Sequence, residues 1–122
     1  TQPHAEGDLY EFPMSVGRLL GVDVPVSGGF YLRAMPGALS RRLLARINAQ
    51  GNPFVIYLHP WEMDPQTPHV KGLGLISRWI TYTGQKSAMA KLEALLQSFR
   101  FAPLREVMGL QDLRRQTGGE PR

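Results

Sequence analysis

The stretch "FVIYLHPWEMDP", residues 54–65, ends an apolar run in a histidine and crowds a proline, a tryptophan and two carboxylates behind it. His59 is of the type that moves protons near neutral pH, because an imidazole titrates at roughly 6.5. Glu62 and Asp64 add oxygen ligands, so "HPWEMD" could also be a hard-metal or zinc cluster. Spacing argues against the metal. Pro60 disfavours the helical conformation at His59, which spoils an i, i+3 face, and His69 follows Pro68 in a loop ten residues on. Loop carboxylates that cap helices or pair with arginines suit Glu62 and Asp64 better. Two readings of His59 stay open: a general acid or base at a strand mouth, and a half-buried histidine hydrogen-bonded to a neighbouring loop.

Trp61, Phe30 and Tyr31 add flat apolar faces on which sugar rings stack. Aromatic side chains are more often core, yet Tyr31 lies between the Gly28-Gly29 pair and Arg33, in what reads as a loop. The arginines at 41, 42 and 46 could hold phosphate or an acidic polymer, but read better as a solvated helix face.

The elements that must position these groups follow from periodicity. Residues 1–7 are polar and aperiodic and read as a flexible lead-in. "DLYEFPM" suits a short strand stopped by Pro13. "SVGRLLGVDVPVSGGFYLRAMP" carries glycine and proline throughout and reads as a long shaped loop. From Pro36, Leu39, Leu43, Leu44 and Ile47 share one helical stripe, and Gly51 supplies the stop. "NPFVIYL" has the length and β-branched content of a strand covered on both faces. "GLISRWITYT" predicts a short helix. Thr83 can cap a second long helix on which Ala88, Leu92, Leu95, Leu96 and Phe99 recur at helical spacing. "FAPLREVM" predicts a strand or extended segment, and 109–122 a polar tail.

Composition bounds the rest. The 122 residues with 43% hydrophobic content suit one small α/β domain with a core. The formal charge is +4, but eleven of the fourteen cations are arginines spread along the chain without a basic block, so a nucleic-acid partner is not expected. The absence of cysteine excludes disulfides and finger-type zinc. No stretch approaches the roughly 18 apolar residues of a membrane span.

"LYEFPMSVGRLLGVDVPVSGGFYLRAMP" followed by "FVIYLHPWEMDP" resembles the C-terminal part of polysaccharide deacetylases, the family with NodB homology. The likeness is closest to the subgroup of exosortase-associated exopolysaccharide clusters, which carries a C-terminal region of unknown function. It spans about residues 8–108. The resemblance implies the C-terminal portion of a distorted β/α (TIM-like) barrel, with few strands and two main helices. It also implies removal of N-acetyl groups from a glycan, with a divalent metal polarising the amide carbonyl. The family's last motif, Leu-x-Leu-His, is matched by Ile56, Tyr57, Leu58 and His59. On that resemblance His59 is the acid that protonates the leaving amine and Leu58 a pocket wall, while Glu11 in "EFP" and Tyr31 or Arg33 in "GGFYLR" are candidates for the substrate rim, which Trp61 joins as an aromatic face.

The departure is as informative as the match. The family's catalytic aspartate and Asp-His-His metal set belong to its N-terminal part and are not in these 122 residues. The chain, which begins at Thr1, is therefore expected to be a C-terminal piece, inactive alone, that takes no metal itself. Its expected partners are a glycan, the missing N-terminal half and, through exposed edges, a second copy. The rival expectation is a noncatalytic module whose aromatic loops bind glycan or hold a partner domain.

Overall fold

The structure is a computed structural model that describes residues 4–6 and 9–109. Four short strands come first and form two separate antiparallel pairs. The strand β1 (His4–Glu6) pairs with β2 (Leu9–Glu11), and β3 (Val16–Leu19) pairs with β4 (Val22–Pro25). Residues 4–6 of the expected lead-in are thus a strand, in register His4 to Glu11. The expected tail lies outside the described residues beyond Gly109.

The loop expected over residues 15–36 is instead a hairpin and a helix. Its turn is Leu20-Gly21, and both residues have positive φ, 50° and 83°. Such a two-residue turn matches strand twist but usually recruits Asn-Gly or Asp-Gly. A leucine in the first position hides the signal. Gly17 of β3 lets α2 (Gly37–Ala49) pack close, since a Cβ there would press on Val26 and Leu43. The helix α1 (Gly29–Ala34) links the hairpin to α2.

The two long helices follow the apolar stripes. In α2, Leu43 and Leu44 are buried while Arg41, Arg42 and Arg46 face out. In α4 (Gln85–Ser98), Ala88 and Leu95 are buried and Leu96 is turned to the surface. Val26, Leu32, Leu43, Leu44 and Leu95 form the centre of the core, with Phe54, Ile56 and Leu58 packed against it. Leu75–Tyr82 is the expected short helix, α3. "FAPLREVM" differs from expectation: Pro103 opens a short helix, α5 (Leu104–Val107), rather than a strand.

Residues 53–58 also depart from the sequence reading. The run is extended but bridges only once, in parallel, between Tyr57 and Gly28. Its side chains are half-buried, with Tyr57 exposed, so it is covered on one side rather than on both. Apolar content marked the burial and could not say from how many sides. The described residues thus form a mixed α/β arrangement of two antiparallel strand pairs and several helices.

The hairpin turn carries a testable cost. Leu20 is 97% exposed and gains nothing from packing, so its left-handed backbone is a net penalty. Leu20→Asn should raise the urea midpoint, with the slope unchanged, by an amount equivalent to about 1 kcal/mol. An unmoved midpoint would show that the turn is not strained.

Candidate functional site

Two buried serines aim the extended run. The Ser15 N–H donates to Ser27 Oγ at 2.9 Å, and Ser15 Oγ accepts from the Val55 N–H at 3.0 Å. The Ser27 carbonyl accepts from the Tyr57 N–H at 2.8 Å. The start of the hairpin and the residue after it therefore grip residues 55 and 57, and the next side chains to emerge are Leu58 and His59. Leu58, expected as a pocket wall, packs half-buried against the core.

His59 caps a 3₁₀ turn, Pro60–Met63, in which Pro60 takes the first position. A proline is favoured there because its missing N–H would have no partner in the turn. The Glu62 carboxylate then reaches back: its Oε2 accepts from the His59 N–H at 2.9 Å and lies 3.3 Å from His59 Nδ1. This is the returning half of a capping box, in which the third residue of a helical turn bonds the cap. Pro60 was expected to keep His59 and Glu62 apart. It instead starts the turn that joins them.

A carboxylate only accepts, so the imidazole proton facing it sits on Nδ1, which leaves Nε2 as the outward atom. Tyr57 Oη lies 3.1 Å from Nε2, and the two rings meet edge to face. The Trp61 ring stacks on the other side, 6.1 Å from the imidazole at an interplanar angle of 28°. His59 and these aromatics are exposed, while Glu62 is only 4% exposed. Glu62 was expected as a solvated loop carboxylate that caps a helix or pairs with an arginine; it does both, but buried. It is the buried anchor of the histidine.

What allows a carboxylate to be buried is Arg33, itself 2% exposed. Its guanidinium holds Glu62 Oε1 at 3.1 Å and donates to the carbonyls of Ile80, Thr81 and Thr83 at 3.2, 3.0 and 2.7 Å. Those carbonyls belong to the last turn of α3 and the residue after it, which lack helical partners. Its Nε–H alone has no partner among the described residues. The same guanidinium lies 5.4 Å above the centre of the Trp61 ring. Arg33, expected on the substrate rim, therefore lies beneath the site and acts through Glu62 and Trp61.

Two glycines make room for this arrangement. A Cβ on Gly29 would land on the Glu62 carboxylate, and one on Gly84, where φ is +74°, would land on the Arg33 carbonyl. Lys91 Nζ donates to that carbonyl at 2.6 Å and to the Met35 carbonyl at 2.8 Å, closing the end of α1. Burial pulls the Lys91 ammonium below its ordinary pKa. Of the other rim candidates, Tyr31 is half-buried on α1 with its ring against Phe30, and Glu11 is exposed at the end of β2.

The structure thus brings His59, Trp61 and, from below, Arg33 into one cluster, and adds Tyr57 and Glu62 as site residues. The signal for Glu62 was present: a glutamate three residues after a cap, with proline between, is capping-box spacing.

Residues 1–109 match the profile of a family described as a domain of unknown function, DUF3473. The chain belongs to that family. No curated protein and no solved structure matches it. Family membership carries no activity with it, so the chemistry of this DUF3473 domain rests on the cluster itself.

The donor set does not suit a metal. Among the described residues no three His, Asp or Glu side chains converge. His69 is turned onto the Tyr82 ring, 4.1 Å between centres. A divalent ion would have to be held by other residues, and no step below runs through one.

The buried pair predicts strong coupling. Arg33→Met and Glu62→Leu should each lower the unfolding free energy by about 3–5 kcal/mol, because either leaves the other charge buried alone. The double variant should lose much less than the sum of the two. Additive losses in a urea-denaturation cycle would show that the charges do not stabilise each other.

Proposed function

We propose that this domain is the C-terminal part of a metal-dependent carbohydrate deacetylase of exopolysaccharide biosynthesis, and that His59 is its general acid. In that reading residues 53–58 are one strand of a distorted β/α barrel, whose remaining strands, metal ligands and catalytic base lie on other sequence. The observation that carries the proposal is the dyad of half-exposed His59 and buried Glu62. A proton donor needs a fixed ring orientation and an accessible edge, and Glu62 supplies the first through Nδ1 while leaving Nε2 as the second.

The chain's own residues then have distinct tasks. Glu62, held from behind by Arg33, faces Nδ1 and keeps the Nε2 edge of the ring pointing outward. Tyr57 holds that edge until the nitrogen of a bound acetamido sugar displaces its hydroxyl. Trp61 offers its face to the sugar ring beside the histidine. Water, giving its proton to the base on the other sequence, adds to the acyl carbon; as the amide C–N bond then breaks, the Nε2 proton passes to the leaving amine and acetate is released. A metal held by the other residues would supply Lewis-acid polarisation of the acyl carbonyl.

The exposed ring patch of Tyr57, His59 and Trp61 also fits a noncatalytic glycan-binding or domain-interaction module. One pair of substitutions separates the readings. In the complete enzyme, His59→Ala should cut deacetylation of an N-acetylated glycan by roughly 100-fold or more with glycan affinity little changed. An unchanged rate would remove the general-acid role. Loss of glycan affinity in Trp61→Ala, with no deacetylation in any variant, would favour the binding module.

A further inference from the structure

The least covered part of this chain is α3. None of its residues is buried, although Leu75, Ile76 and Trp79 are 87%, 76% and 58% exposed and Ile80 is exposed as well. At 3.6 residues per turn these four side chains occupy one arc of roughly 140°. Ser77 and Thr81 lie on the opposite side, and Arg78 flanks the apolar arc. The preceding loop is fastened alongside: the Tyr82 hydroxyl donates to the Pro68 carbonyl at 3.1 Å and accepts from the Val70 N–H at 2.8 Å. Val70 is exposed there, next to exposed Lys71. An eight-residue helix is too short to persist on its own propensity. This one holds its shape because Arg33 binds its terminal carbonyls and the Trp79 ring meets Phe30 edge to face at 5.4 Å, which leaves Leu75, Ile76 and the open part of Trp79 to serve another surface.

Charge identifies that surface. Between Asp64 and Glu93 the chain has no acidic residue, but carries Lys71, Arg78, Lys86 and Lys91. Of these, Lys71, Arg78 and Lys86 are exposed. An aliphatic arc with a tryptophan, rimmed by cations and free of carboxylates, is the composition of a helix that lies in the headgroup region of a bilayer. A second copy fits poorly, since a twofold contact through this face would set a patch carrying Lys71 and Arg78 against an identical one, with no carboxylate from this stretch of chain to offset the charge. A glycan fits poorly because leucine and isoleucine offer it neither stacking nor hydrogen bonds.

We infer that α3, with Val70 and Lys71, docks peripherally on an anionic lipid surface. The helix lies parallel to the membrane, with Leu75, Ile76, Trp79 and Ile80 among the acyl chains and the cations at the headgroups. It is far shorter than a span, and among the described residues no helix is long and apolar enough to cross a membrane.

Co-sedimentation of the full chain, and of the complete protein that contains it, with vesicles tests this. Phosphatidylglycerol–phosphatidylcholine vesicles should bind at least about tenfold tighter than pure phosphatidylcholine, since each cation near an anionic surface contributes roughly fivefold. The advantage should fall as salt is raised. With Trp61→Phe in the background, Trp79 fluorescence should shift to the blue on binding. Leu75→Ser with Ile76→Ser should abolish sedimentation and the shift while leaving the far-ultraviolet dichroism of the folded chain unchanged. Equal binding to both vesicle types, or binding that survives the serine substitutions, would overturn the inference. So would a concentration-dependent dimer that those substitutions dissolve, or a complete protein that leaves the vesicles in solution.

Discussion

A guanidinium buried without a bound anion cannot be tolerated, and the site is arranged around that constraint. Arg33 meets Glu62 on one side and three carbonyls of the end of α3 on the other. Each contact satisfies a group that would otherwise be costly: a carboxylate out of water, and helix-terminal carbonyls without donors. The positive charge at the carboxyl end of a helix is also favourable for the helix itself. One residue on α1 therefore ties these parts together: its side chain fixes the turn that presents His59 and the end of α3, and its carbonyl meets Gly84 and Lys91 at the start and on one face of α4. A planar fork of donors aimed in several directions is why this residue is arginine. A lysine could not reach both sides at once.

The second constraint is backbone placement. A histidine can act on a substrate only if its own main chain is held, and residues 53–58 have little ladder to hold them. The serine grip replaces the ladder. Ser15 and Ser27 flank the β3–β4 hairpin and bond to each other, so the hairpin's rigidity passes to Val55 and Tyr57 through two hydrogen bonds. Gly17 seats that hairpin against α2, which ties it to the Leu43 layer of the core. The path from core to imidazole therefore has no long unsupported segment. This is what a positioned proton donor requires of its scaffold.

How much of this is legible in the sequence depends on whether a feature has a period. The helices α2 and α4 are readable because burial repeats every 3.6 residues and arginines mark the outer face. His59 is readable because an ionisable residue ending an apolar run is unusual. The β3–β4 hairpin is not readable, because Leu20-Gly21 lacks the usual turn chemistry and two four-residue strands give too little alternation. Arg33 is misplaced on the rim because arginine is so seldom buried that its neighbours Tyr31 and Gly29 suggest a loop. Glu62 is misjudged for a related reason: whether a carboxylate is solvated depends on a partner 29 residues away. Long-range pairing of buried charges leaves no local pattern.

The same hub makes the two exposed features of the domain interdependent. The carbonyls of Ile80, Thr81 and Thr83 and the carboxylate of Glu62 compete for the orientation of one guanidinium. If α3 loses its last turn, Arg33 loses three acceptors and must draw more heavily on Glu62, which also accepts from the His59 backbone and faces its Nδ1. Conversely, any surface that covers Leu75, Ile76 and Trp79 stabilises α3 and so returns the guanidinium to its balanced position. With an Nε–H already lacking a partner among the described residues, Arg33 has no spare acceptor to absorb a shift. Order in α3 and the set of the His59 imidazole are therefore linked through a single side chain, although the two present different surfaces to solvent.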